Sequence, residues 1–143
     1  MIAIDPAGAI WDRHPAEYRL HRTDAEIVHV LHTSKGFYGL EDPIGDVDFY
    51  PNGGEAHQPG CEDEDAFGID CSHARAPDFY IESITSDIGF LAWQCDNFQD
   101  FMAGFCYGRE TNYMGEPANS AKPGIYFLQT NAQKPFAMPP TQD

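Results

Sequence analysis

Two residues of this 143-residue chain have the types and the order needed for acyl-transfer chemistry. Asp5 follows the apolar run 1–4, and His73 follows a segment bounded by Cys61 and Cys71. A serine hydroxyl becomes a nucleophile at neutral pH when an imidazole removes its proton and a carboxylate orients that imidazole. The order acid then histidine matches the last two members of a Ser–Asp–His triad in which the serine comes first. The alternative is that Asp5 satisfies a turn or caps a helix and that His73 stands at the entry to a helix.

The nucleophile of such a triad is not found in the chain. No serine lies in a GxSxG elbow, and there is no HExxH, P-loop or dinucleotide-binding motif. The acidic string EDED (62–65) does not have the ligand spacing of an EF-hand, so a solvated surface loop is the better interpretation. The serines without the elbow are Ser34, Ser72, Ser83, Ser86 and Ser120.

Charge and hydropathy exclude several classes of partner. The chain has 8 basic and 23 acidic residues, a formal net charge of −15, which repels nucleic-acid phosphates and anionic headgroups. We therefore predict no nucleic-acid partner. No apolar run approaches the ~20 residues of a membrane span, and the first residues, MIAIDPAG, lack the features of a signal peptide.

The four cysteines fall into two local pairs, Cys61 with Cys71 and Cys95 with Cys106. Four cysteines permit three pairings, and two short loops are geometrically the simplest. Such bridges indicate an oxidising compartment, and each would stabilise the fold by about 2–3 kcal/mol. Four buried free thiols in a cytosolic protein are the alternative.

Strand and helix patterns alternate along the chain, which predicts the α/β class in a single domain, partial in extent, over 1–143. Apolar, β-branched runs predict core strands at 1–4, 25–33 and 47–54. A helix is predicted to begin near Ala76 or Pro77. Its core-facing side chains would be Phe79, Ile81 and Ile84, with Tyr80 as a further candidate. The proline-rich tail 134–143 is expected to fray.

A series of short strings resembles the pancreatic-lipase family of secreted ester hydrolases, with its insect phospholipase A1 and non-enzymatic yolk-protein members. In chain order the strings are IDPAG, TDAEIVHVLHT, GDVDFYPNGG, QPGC, CSHARA, ESI, FMAGFC and, after MG, GIYFLQT. The combination of DVDFYPNGG, QPGC and CSH is the most specific to the family. Asp46 stands where the family usually has histidine.

The resemblance implies that the chain is the C-terminal part of an α/β-hydrolase domain. Asp5 of IDPAG is then the triad acid and His73 of CSHARA the general base, whereas the nucleophile and one oxyanion donor belong upstream of Met1. The family's lid corresponds to the loop closed by Cys61 and Cys71. Its nine intervening residues resemble the short lids of phospholipases A1 more than those of triglyceride lipases.

The resemblance leaves two functions open. The chain could be part of a secreted hydrolase of glycerolipids or other esters, inactive by itself and completed by an N-terminal lipase portion in another chain or in a parent protein. It could instead be a non-catalytic homologue used for binding, storage or assembly. An exposed strand edge near 1–4 also predicts a partner or self-association.

Some members of the family hold a structural calcium ion in the segment that matches 16–24. Asp24 matches one of the two aspartate ligands, but His21 stands at the other position. Because the loss of one anionic ligand weakens a site for a hard cation, we predict no tightly bound calcium and no cofactor.

Overall fold

Six strands form one mixed sheet in the computed structural model, which describes residues 1–8, 11–62 and 69–140. Their order across the sheet is β1-β2-β3-β6-β4-β5. The first four strands in that order are parallel, whereas β4 runs antiparallel to both β6 and β5. The predicted α/β class is confirmed. The strands are β1 (Ile2–Ile4), β2 (His29–Leu31), β3 (Val47–Pro51), β4 (Phe90–Gln94), β5 (Thr111–Met114) and β6 (Gly124–Leu128).

Successive residues of the central strands point to opposite faces of the sheet. Both faces are covered by other parts of the chain. Phe49 of β3 and Tyr126 of β6 belong to the main core, together with Phe79 and Phe90. Their chain neighbours Tyr50 and Phe127 belong to a second cluster with Phe101. These two faces carry the helices α1 (Ile69–Thr85) and α2 (Phe98–Met102) respectively. Short 3-10 turns occur at Trp11–Arg13, Ala16–Tyr18, Arg22–Asp24 and Asn52–Gly54.

Helix α1 differs from its sequence prediction in both its start and its buried face. It already includes Ile69, and Pro77 lies in its interior. Ile81 and Ile84 are 60% and 56% exposed, so the prediction that they face the core is wrong. Phe79 is 1% exposed, so the prediction that it faces the core is confirmed. The rest of the buried face consists of small residues that let the helix lie close to the sheet, and a search for large apolar residues misses them. These small residues are Ser72, Ala76 and Ser83.

Residues 136 and 137 of the proline-rich tail are packed against the core, so the prediction that this part of the tail frays is wrong. Phe136 and Ala137 are 3% and 1% exposed, and both belong to the main core. The carboxylate of Glu82 accepts the amide hydrogens of Phe136 at 2.9 Å and Ala137 at 2.8 Å. The guanidinium of Arg75 also lies over the ring of Phe136, 4.8 Å from its centroid. These contacts outweigh the disorder expected from the prolines.

Both predicted disulfides are present. Cys61 is bonded to Cys71 and Cys95 to Cys106, and no cysteine is free. The first bridge joins Cys61 to Cys71 within α1, and the second closes the loop that contains α2. The alternative of four free thiols is therefore wrong.

Candidate active site

Asp5 lies at the carboxyl end of β1, where it turns the chain out of the strand. Its φ angle is 43°, in the left-handed region that aspartate tolerates better than most residues. Its amide donates to the carbonyl oxygen of Leu31 at 2.8 Å, and the residue is 1% exposed. The carboxyl ends of parallel strands meet at one edge of a sheet. The carboxylate therefore lies beside the residues that follow β2.

Those residues hold the Asp5 carboxylate through both of its oxygens. Oδ1 accepts the amide hydrogens of Thr33 at 2.8 Å and Ser34 at 3.0 Å. Oδ2 accepts the hydroxyl hydrogen of Ser34, whose oxygen in turn accepts from the Gly39 amide at 3.1 Å. Gly39 packs so closely that a Cβ there would lie 2.9 Å from Cγ of Asp5. The carboxylate is thus fixed in one position.

His73 completes this arrangement from α1. Its Nδ1 lies 2.6 Å from Oδ2 of Asp5, and its side chain is 46% exposed whereas that of Asp5 is 0% exposed. Because a carboxylate only accepts hydrogen bonds, Nδ1 carries a proton, and in the neutral imidazole the lone pair is then on Nε2. Among the described residues, no hydrogen bond involves this Nε2. The Tyr38 ring meets the imidazole edge to face, with centroids 5.6 Å apart.

Residues of the strings PNGG, QPGC and CSH form a chain of hydrogen bonds that leads to the residue next to His73. Gln58 is 1% exposed, and its side-chain amide donates to the carbonyl oxygens of Pro51 and Glu55, both at 2.9 Å. Asn52 donates to the side-chain oxygen of Gln58 at 2.8 Å. The backbone amide of Gln58 then donates to the hydroxyl of Ser72, next to His73, at 3.0 Å. The end of β3 is therefore joined to the first turns of α1.

The structure brings together the two residues that the sequence singled out, Asp5 and His73. Sequence reasoning missed the groups that hold Asp5, namely Thr33, Ser34 and Gly39, because it placed Thr33 in a strand and treated 34–46 only as a loop. The available signal was a pair of hydroxyl residues at 33–34, one residue beyond the end of β2 and at the same sheet edge as Asp5. Of the predicted lid between the first two cysteines, residues 63–68 lie outside the described part of the chain.

The segment that the resemblance associates with calcium is held by side chains instead. The imidazole Nδ1 of His21 accepts from the Thr23 amide, and the Asp24 carboxylate accepts from the His21 amide at 2.9 Å, a reciprocal capping box. Within 1–8, 11–62 and 69–140, no group of three or more acidic, histidine or cysteine side chains is placed to bind a metal ion. The absence of tight calcium binding stays a prediction.

None of the helices in the described part of the chain has the length and apolar character to cross a bilayer.

Comparison with known proteins identifies the family. The lipase family model matches residues 1–136. The chain belongs to the lipase family. The resemblance to pancreatic lipases is confirmed by relatives that carry that name, and so is the expected α/β-hydrolase fold, of which this chain forms part. The assignment of 1–143 as one partial domain stays a prediction.

Three lipase-family relatives show how much of a longer protein the chain matches. Pancreatic lipase-related protein 3 of Homo sapiens is 36% identical over 165 residues, covering 94% of this chain and 35% of that protein. Lipase member H of Xenopus tropicalis is 39% identical over 106 residues, covering 72% and 23%. Inactive pancreatic lipase-related protein 1 of Mus musculus is 32% identical over 163 residues, covering 94% and 34%. The chain thus spans about a third or less of each relative.

Proposed function

We propose that this chain supplies the acid and the general base of a Ser–Asp–His triad in a carboxylic ester hydrolase. The observation that carries the proposal is the 2.6 Å hydrogen bond between Nδ1 of His73 and Oδ2 of Asp5. The ring is half-exposed, so its Nε2 is accessible to a nucleophile, whereas the carboxylate is buried. This combination suits a base that must reach a substrate while an inaccessible acid orients it.

In the proposed reaction, Nε2 of His73 removes the proton of a serine hydroxyl as the serine oxygen attacks the ester carbonyl carbon. The imidazolium that forms is stabilised by the Asp5 carboxylate, which keeps its own charge. His73 then gives the proton to the departing alcohol, and the serine is left acylated. Water, deprotonated by the same nitrogen, releases the carboxylic acid and restores the serine.

The serine would come from an N-terminal lipase portion, either in a longer protein or in a partner chain. Among the described residues β1 pairs only with β2, so its outer edge accepts a further strand. A parallel strand at that edge that ends in a GxSxG elbow would place its serine beside Asp5 and His73, because the carboxyl ends of parallel strands meet at one edge. The short strand edge thus suits the missing portion better than it suits self-association.

The proposed substrates are glycerolipid esters, with a phospholipase A1-like preference. The short loop between Cys61 and Cys71, whose partners are 10 positions apart, supports a small lid. Two disulfides support export to an extracellular location, because such bonds persist mainly in oxidising compartments.

The proposal is tested on the longer protein or assembly that contains this chain, with a fluorophosphonate probe and a glycerolipid substrate. We expect one labelled serine in a GxSxG sequence outside these residues. Asp5→Asn should lower turnover by about 10⁴-fold, because the wrong imidazole tautomer is then held in place. His73→Gln should abolish labelling, whereas His14→Gln, at an exposed histidine outside the Asp5–His73 pair, should leave it unchanged. No labelled serine in any co-purifying polypeptide would defeat the proposal.

A non-catalytic role is the second candidate. It is favoured by the similarity to a relative whose name includes the word inactive. Intact mass spectrometry of the natural material separates the two. A homogeneous species of the chain's own 16.0 kDa mass without esterase turnover supports the non-catalytic role, and a companion segment with the elbow supports the hydrolase.

A further inference from the structure

A second histidine–aspartate pair lies near the candidate active site and is fully buried. Nε2 of His32, which follows β2, is 2.8 Å from Oδ1 of Asp48 in β3. The two residues are 0% and 2% exposed. Unlike His73, this imidazole is inaccessible to a substrate, and the proposed reaction gives it no role.

The hydrogen-bond partners of the pair determine where its protons are. Nδ1 of His32 lies 3.0 Å from the carbonyl oxygen of Leu40, which can only accept, so Nδ1 carries a proton. Both oxygens of Asp48 already accept backbone amides, Oδ1 from Ile44 at 3.1 Å and Oδ2 from Gly45 at 3.0 Å. This is the pattern of an ionised carboxylate. The proton between Nε2 and Oδ1 therefore belongs to the imidazole.

The surroundings also favour a positive ring. The Tyr50 ring stacks on His32 with centroids 4.2 Å apart and planes 1° from parallel, the face-on contact that an aromatic ring offers to a flat cation. Besides Asp48, the charged groups near Tyr50 are Glu41, Asp42 and Lys35. Lys35 pairs with Glu55 at 3.3 Å. Burial and the neighbouring negative charges raise the pKa of the Tyr50 phenol.

The Nδ1–H group of His32 closes the loop 33–40, which holds Asp5. The ring fixes the carbonyl of Leu40, and the Leu40 amide donates to the carbonyl oxygen of Pro6 at 2.8 Å, directly after Asp5. At the other end of the loop, the two residues that follow His32 donate their amides to Asp5. The backbone on both sides of the carboxylate is thus tied to one imidazole.

We infer that His32 is a doubly protonated imidazolium, kept in that state by Asp48, and that it is a positioning residue for the Asp5–His73 pair. The catalytic consequence rests on the proposed function, because Asp5 must be positioned only if it orients His73. The charge state of His32 and its connection to Asp5 do not rest on the proposed function, and both are measurable without any substrate.

The charge state is tested by nitrogen NMR of the histidine-labelled protein that contains this chain, with the His32 signals assigned by their loss in His32→Gln. We expect both ring nitrogens to show the chemical shifts of protonated nitrogens at neutral pH. His14, which is exposed, serves as the internal reference in the same spectra. A lone-pair shift on either His32 nitrogen at neutral pH would overturn the inference.

The positioning role is tested by hydrogen exchange. In Asp48→Asn, exchange of the Thr33 and Ser34 amides should accelerate at least tenfold more than in Glu82→Ala, which weakens a contact remote from the pair. Equal acceleration in both variants would reduce His32 to a merely structural role. Should Asp48→Asn fail to fold, the wild type decides, because the ring N–H groups and both amides must open with the same free energy if they form one unit.

These readouts do not involve ester hydrolysis. Failure to find a labelled serine would defeat the proposed function but not the inference that His32 is an imidazolium. A neutral His32 would defeat that inference but not the triad proposal.

Discussion

Gly39→Ala tests whether the Asp5 carboxylate is rigidly held. The backbone of Gly39 lies outside the left-handed region, so alanine meets no conformational strain there. The three atoms nearest to the added Cβ all belong to Asp5, with Cγ at 2.9 Å and Oδ2 at 3.1 Å. The cost of the substitution therefore depends on how far this carboxylate can yield.

The magnitude follows from the hydrogen bonds that the carboxylate would lose. Carbon contacts are favourable near ~3.5–4.0 Å, so the carboxylate must recede by about 1 Å. That movement breaks the bonds to the amides of Thr33 and Ser34, now 2.8 and 3.0 Å long. A hydrogen bond to a charged group contributes about 1.5–3 kcal/mol. With about 0.5–1 kcal/mol returned by the less flexible unfolded chain, the net destabilisation is about 2–5 kcal/mol.

The assay is a double-mutant cycle with Asp5→Ala, in which each variant of the protein is unfolded in urea. Asp5→Ala removes all three clashing atoms, so Gly39→Ala in that background should cost less than about 1 kcal/mol. The expected coupling is therefore at least about 1 kcal/mol. If Gly39→Ala costs the same in both backgrounds, the carboxylate is not what limits the space at Gly39, and the account of the site's rigidity is refuted.

Three further predictions concern the elements around the site. Glu82→Ala should lower the free energy of unfolding by about 2–4 kcal/mol in urea titrations, because two backbone amides at 136–137 lose a charged acceptor. Adding calcium or a chelator should shift the melting temperature by less than about 1 °C. In the segment 16–24, where some family members bind calcium, His21 stands in place of a second carboxylate ligand. Burial lowers the pKa of the His29 imidazole, so the unfolded state takes up a proton first and stability should fall as the pH drops below about 6.5.

Each of these has a control. Glu17→Ala, at an exposed glutamate, should change stability by less than about 0.5 kcal/mol, and an equal loss there would remove the case for the Glu82 contact. His21→Asp should create calcium-dependent melting, and a wild type already stabilised by calcium would contradict the prediction. His29→Gln should flatten the acid side of the stability curve, and an unchanged slope would assign the proton uptake to another group.

The sequence was informative where local chemistry specifies structure. Strands β2 and β3 are short, nearly all-apolar runs, and Cys61 and Cys71 are close enough along the chain for one pairing to be favoured. Asp5 and His73 could be singled out because the family strings surround them. Their hydrogen bond could not be derived, since it depends on the packing of α1 against β1 across 68 positions of sequence.

The failures have a common physical origin in tertiary packing. The buried face of α1 is made of residues such as Ala76 and Ser83, which carry little hydropathy signal of their own. Strand β5 contains Asn112, a weak strand former that is buried because its side-chain amide satisfies carbonyl oxygens of the following loop. Phe136 is buried by contacts with Glu82 and Arg75, both more than 50 positions away.

The attachment of His73 to a helix rather than to the cysteine-closed loop separates two tasks within the molecule. The imidazole is held through Ser72 and Asp5, and neither bond passes through residues 63–68. The segment between the cysteines can therefore change in length or polarity without altering the hydrogen bonds that hold His73. Under the proposed function, exchanging this segment would alter substrate preference and leave the acid–base pair unchanged.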